Sequence, residues 1–106
     1  MAKKTRPRGQ RREAERTLGK LAKARQRLFE LELGGSADRP LPVVSAAVVE
    51  AHAESVPCPL CEGKHEVVEH VAVTRFGIRL REARLRCRQC GTTRSVWFRI
   101  NDVGPN

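Results

Sequence analysis

Cys-Pro-Leu-Cys at residues 58–61 and Cys-Arg-Gln-Cys-Gly at residues 87–91 decide how this chain can fold. Between them they hold all four cysteines, with 25 residues separating Cys61 from Cys87. A Cys-x-x-Cys turn aims two sulfurs at one cation from a single tight loop, and two such turns complete the tetrahedron that zinc takes. Cys58, Cys61, Cys87 and Cys90 are therefore read as the ligands of one structural Zn2+ ion, and the two turns must meet in space. Two other uses of the thiols fit less well. A disulfide framework suits secreted chains, whereas Met1 to Gly9 is basic and has no apolar run of the secretory kind. Thioredoxin-like redox chemistry needs a Cys-x-x-Cys that opens a helix beside a parallel sheet, and Val67 to Ile100 reads as antiparallel hairpins.

With its two knuckles flanking hairpin strands, the stretch from Pro57 to about Ile100 resembles the zinc-ribbon family. That resemblance implies a small antiparallel sheet held by the metal, with Pro59 inside the first knuckle and Gly91 closing the second. One departure is visible: Glu62 follows the first knuckle where a glycine is common, and Gly63 comes one place later. The ribbon, residues 57–100, is close to the size at which a hydrophobic core alone stops sufficing. Zinc binding, on the order of 10 kcal/mol for structural sites, would then supply most of its folding free energy.

Charge is the second signal. The 106 residues carry a formal net charge of +9, unevenly spread: residues 1–30 have 11 Lys/Arg against 3 Asp/Glu, and residues 31–56 have 1 against 4. Residues 1–9, with Lys3, Lys4, Arg6 and Arg8, have too little apolar surface to repay ordering and read as a disordered basic arm. Over residues 10–33, Ala14, Leu18, Leu21, Ala24, Leu28 and Leu31 recur at three- and four-residue spacing, the stripe of an amphipathic helix. Gly34 is placed to stop it in a left-handed conformation. Arg12, Arg16 and Lys20 stack with like charge, as do Lys23 and Arg27, and the acidic residues Glu30 and Glu32 sit at the wrong end of the dipole. Such a helix gains from a polyanion laid along Arg12, Arg16, Lys20, Lys23 and Arg27. The alternative is a solvated basic helix whose leucines pack on the ribbon or on a second copy.

Residues 34–56 form a linker followed by an extra strand, since Val49, Ala51 and Ala53 alternate with Glu50, His52 and Glu54; a helix from Ser45 to Glu54 is the alternative, because alanine is plentiful. In the ribbon, Val67 to Thr74 and Ile78 to Cys87 are expected to pair about a turn at Phe76-Gly77. A bulge near Arg81-Glu82 would reconcile a change of phase in the second of these strands. In a third strand, Arg94 to Ile100, Val96 and Phe98 face inward, which sets Trp97 and Arg99 on the same outer face as Arg84 and Arg86. A ring among guanidinium groups suits a binder of single strands, stacking on a base while arginines follow phosphates; alternatively, the N-terminal helix or Val49 to Val56 covers Trp97. Residues 101–106 are a tail.

His65-Glu66-Val67-Val68-Glu69-His70 looks like a zinc-protease motif, but H-E-x-x-H needs a histidine where Glu69 stands. On a strand His65 and Glu69 would share one face and His70 the other, so the histidines are expected to be surface residues. No glycine loop cradles a phosphate, and no serine or lysine is set beside a base. The expectation is a small α+β protein, a zinc-ribbon antiparallel sheet with a long basic N-terminal α-helix, that is not an enzyme. It would be cytoplasmic, lack a membrane span and bind nucleic acid, DNA or RNA. An adaptor docking its ribbon on RNA polymerase or the ribosome, transcription or translation machinery, is the alternative that the resemblance implies.

Overall fold

The computed structural model describes residues 7–101; Lys3, Lys4, Arg6, the side chain of Arg8 and the tail from residue 102 lie outside the described residues. The first element, α1, spans Pro7–Leu31. Among the described residues it begins inside the stretch read as an arm, and proline at residue 7 is compatible with a first helical turn, where its missing N–H is no loss. It also ends two residues before the expected stop. A turn follows, closed by Gly35 N–H donating to Glu32 O at 2.9 Å, with Gly34 at the positive φ of 90°. No acidic residue lies in the first turn of α1 and no basic one in its last. The Arg39 guanidinium makes good part of that deficit from outside the helix, donating to Leu31 O at 2.8 Å.

The segment read as linker supplies a short strand, β1 (Leu41–Val43). Beyond it, a 3-10 turn at Ala46–Val48 runs into α2 (Val49–Ser55), which corrects the expectation of an extended segment there. Val49 and Ala53 satisfy a period of two, but they are also one helical turn apart, and both are buried against the sheet. Tertiary burial of that pair in an alanine-rich stretch decides for helix.

Three strands follow: β2 (His65–Arg75), β3 (Ile78–Cys87) and β4 (Thr93–Ile100). The sheet order is β1-β4-β3-β2. Neighbours from β2 to β4 are antiparallel, while β1 lies parallel to β4 with Leu41 opposite Phe98. The sheet is therefore mixed, not purely antiparallel. On one face Ala83, Leu85, Val96 and Phe98 meet Val49 and Ala53 of α2 and Phe29 of α1 to form the core. The other face is covered by neither helix.

The strand alternation corrects a second expectation. No bulge interrupts β3; the register shifts instead in β2, between Val67 and Glu69. In β3 the change of hydrophobic phase has a plainer cause: Leu80 is buried on the open face, between Val73 and Arg99 in the register, while Ala83 and Leu85 are buried on the other. Because Val68 is the extra residue, His65 and His70 fall on the α2 side, opposite Cys87 and Ala83, and Glu66 and Glu69 both fall on the open side.

Phe29 is the one buried side chain among the described residues of α1, and Leu18, Leu21, Leu28 and Leu31 are exposed. A 25-residue helix is about 37 Å long, and α1 projects from the sheet to give principal extents of 79 × 25 × 16 Å. Among the described residues, no helix is long and apolar enough to cross a membrane.

Candidate functional site

The two cysteine turns meet at the end of the sheet remote from the Phe76-Gly77 hairpin. All four Sγ atoms of Cys58, Cys61, Cys87 and Cys90 lie within 4.8 Å of one another. Cys58 and Cys90 are 3.7 Å apart and Cys61 and Cys87 3.3 Å, close to the edge of about 3.8 Å that a tetrahedron with metal–sulfur bonds of ~2.3 Å requires.

Both turns have the same backbone. Glu62 N–H donates to Cys58 O at 2.8 Å and Gly91 N–H to Cys87 O at 3.0 Å, and the donors have φ of 63° and 76°. This is the position where glycine is at ease and glutamate is not, so the departure at Glu62 changes the local cost and leaves the ligand geometry intact. Leu60 N–H points at Cys58 Sγ, and the N–H groups of Gln89 and Cys90 point at Cys87 Sγ, each at 3.4 Å. Donors of this kind favour thiolate over thiol.

The thiols feel one another strongly. Thr92, whose hydroxyl is 2.7 Å from Cys90 Sγ and whose N–H also points there, pulls Cys90 down to about 6. At Cys61 the Gly63 N–H also pulls downward, but burial and the three neighbouring thiols push it up to about 12. Sulfurs this close cannot all ionise unless a cation offsets them. Geometry, donors and charge together position these four residues to hold a metal ion.

Around the cluster are groups that the sequence did not reveal. His65 is 3% exposed, not a surface residue, and its Nδ1 lies 2.7 Å from Val56 O. That contact ties the first knuckle's approach to the start of β2. Arg94, 7% exposed, lies 5.6 Å over the Phe29 ring and donates to the Thr92 hydroxyl at 3.1 Å. The buried cation thus joins the root of α1 to the second knuckle. Its place on the Val96 and Phe98 side of β4 was the one available signal.

The expected binding face is assembled only in part. Arg84, Arg86, Trp97 and Arg99 do share the open face, and Trp97 is half-buried there, covered by neither helix. However, Arg84 pairs with Glu69 and Glu82, and Arg86 donates twice to Glu66, at 3.1 and 2.7 Å. Arg88 lies 3.6 Å from the same Glu66. The bulge at Val68 is what turns both Glu66 and Glu69 toward these guanidiniums. Their charge is offset within the fold. The stripe on α1 differs: Arg12, Arg16, Lys20, Lys23 and Arg27 are all exposed, and none lies within 4 Å of a described carboxylate. Comparison with protein-family models, with curated proteins and with solved structures gave no match.

Proposed function

We propose that this chain is a zinc-ribbon protein in which Cys58, Cys61, Cys87 and Cys90 hold one structural Zn2+, and that it acts without catalysis by binding nucleic acid along α1. The ribbon assignment is supported by two like cysteine turns at one end of an antiparallel β2–β3–β4 meander. The nucleic-acid reading is carried by one contrast. Arg84, Arg86 and Arg88, toward the metal end of the sheet, have carboxylate partners, and the row from Arg12 to Arg27 has none among the described residues. At 1.5 Å per residue the row is about 22 Å long, enough to follow several phosphates. The zinc end then acts as a rigid base from which the helix projects.

Five phosphate contacts along that row would give log K against log salt a slope of about −4.5 on duplex and about −3.5 on a single strand. Replacing Arg12, Arg16 and Lys20 together by glutamine should flatten that slope by about 2 to 3, read by fluorescence anisotropy over a salt series with zinc-loaded protein. An unchanged slope argues against the helix as the contact. A second reading, docking within a nucleoprotein assembly such as transcription or translation machinery, draws support from the uncovered Leu18, Leu21, Leu28 and Leu31. In that case naked nucleic acid binds weakly and the leucines carry the affinity for the assembly.

A further inference from the structure

The hairpin end of the sheet, opposite the cysteines, has a side chain for which folding gives no use. Phe76 and Gly77 form the two-residue connection between β2 and β3, with φ of 52° and 76°. Two successive positive φ values are the pattern for which Asn-Gly is the natural sequence. A bulky residue in the left-handed region is an outlier, and Phe76 is also 89% exposed. Neither the backbone nor the core gains from the ring. The Arg75 guanidinium lies 5.9 Å from its centroid.

No described residue offsets the charge around this tip. Arg75, Arg79, Arg81 and Arg99 have no described carboxylate within 4 Å, whereas Arg84, Arg86 and Arg88 at the metal end all do. Behind the turn a cleft of about 690 Å³ has Val73, Leu80 and Arg99 on the open face of the sheet, while Arg79 and Arg81, which also border it, belong by register to the α2 face. An aromatic face in water, with guanidiniums on both faces of the hairpin behind it, matches unpaired bases on a phosphate backbone: every base has a face to stack, and the arginines track the phosphates. A duplex keeps those faces occupied, and an acidic protein surface would be satisfied by the arginines without the ring.

We infer that the Phe76 hairpin tip, with Arg75, Arg79, Arg81 and Arg99, is a stacking site for single-stranded nucleic acid. The site rests on the nucleic-acid reading above and adds to it a preference for unpaired bases, which α1 alone would not confer.

The test uses zinc-loaded full-length protein and labelled oligonucleotides of one length: a single-stranded DNA, a single-stranded RNA, a duplex and a base-free strand. Phe76→Asn removes the ring while giving the turn its favoured sequence, so its melting temperature should equal or exceed the parent's. It should weaken single-strand binding by about 5- to 150-fold, the loss expected for one stacked base, and leave duplex and base-free binding unchanged. Phe76→Trp should restore the affinity, with its emission quenched by the bases. Should Phe76→Asn lower the melting temperature, Arg79→Gln and Phe76→Trp decide: the first weakens single strands and the second retains them if the site is real. Single-strand affinity that is the same in parent, Phe76→Asn and Arg79→Gln overturns the inference. If that affinity still falls when Arg12, Arg16 and Lys20 are neutralised, the helix reading survives alone. Absence of binding to every oligonucleotide by the parent protein at low salt overturns both, and so points to an acidic protein partner.

Discussion

Removing the metal should unfold the sheet and leave α1 largely as it was. A chain of 106 residues has a total stability of about 5–15 kcal/mol at the usual 0.05–0.15 kcal/mol per residue. A structural zinc site contributes on the order of 10 kcal/mol, so its loss leaves between about −5 and +5 kcal/mol and removes most of the stability. The structure says where that loss falls. The knuckles hold Cys58 and Cys87 in the buried interior, and Cys87 ends β3 opposite His65 at the start of β2. The next residue, Arg88, donates from its N–H to Lys64 O at 2.9 Å. Unclamping the sulfurs therefore releases the end of the sheet from which β2 and β3 are aligned. Phe29 is the one buried side chain of α1 among the described residues, and Arg25 adds only a bond at 3.4 Å to Leu60 O, so most of the helix has little to lose.

The assay is dialysis against a chelator under reducing conditions, followed by circular dichroism, Trp97 fluorescence and metal analysis. One zinc per chain is expected before chelation. Afterwards the strand signal and the cooperative urea transition should be lost, Trp97 emission should move to the red, and a helical signal should persist. Restoring zinc should reverse all of these. Because protons compete for the thiolates, release should also follow acidification. A chelated protein that keeps its urea midpoint would refute the reasoning, as would a stoichiometry other than one.

Two further outcomes follow from the surroundings of the cluster. A Cβ added at Gly63 would lie 2.7 Å from Gln89 Cβ and 3.0 Å from Cys87 Sγ, so Gly63→Ala should force the knuckles apart and weaken zinc by about 10-fold or more. Competition with a chromophoric chelator measures this, and unaltered affinity would show that the knuckles can give way. His65 has its pKa lowered below 6.5 by burial, against the pull of the Val56 carbonyl. Above pH 6.5 it is neutral whether folded or unfolded, and its contribution is complete. As the pH falls through 6.5 toward the folded value, the unfolded chain takes up the proton first and stability is lost. The urea midpoint at saturating zinc should therefore drop between pH 7 and 6, and His65→Asn, which keeps a donor toward Val56 O, should flatten that drop; an equal drop in the variant assigns it to the thiols.

How much of this could be read from the residues depends on whether the relevant partner is near in sequence. The cysteine turns are local devices, and spacing alone places all four sulfurs. The Phe76-Gly77 turn and the strands on either side are local too. The helix at Val49 was missed because Val49, Ala51 and Ala53 satisfy both periods, and only the sheet beneath them chooses. The histidines were misplaced for a related reason: one extra residue at Val68 reverses every face before it, and no composition signal marks that residue among Val67, Val68 and Val71.

The same bulge explains why arginine density overstated the sheet as a polyanion surface. Without it, Glu66 and Glu69 would lie on opposite faces, and only one of Arg84 and Arg86 could find a carboxylate across the strand. With it, both are paired, and Glu82, held by Ser95 at 2.6 Å, adds a third acid to the same patch. Arginines beyond Glu82 toward the hairpin, Arg81 and Arg79, have no described acid to meet, and neither has the stripe along α1. Net charge counts cations; register decides which of them are available to a phosphate. On that basis the cations that, among the described residues, are left without a carboxylate and that we propose for a polyanion lie along the helix and at the hairpin tip, with the charge-balanced segment beside the four cysteines between them.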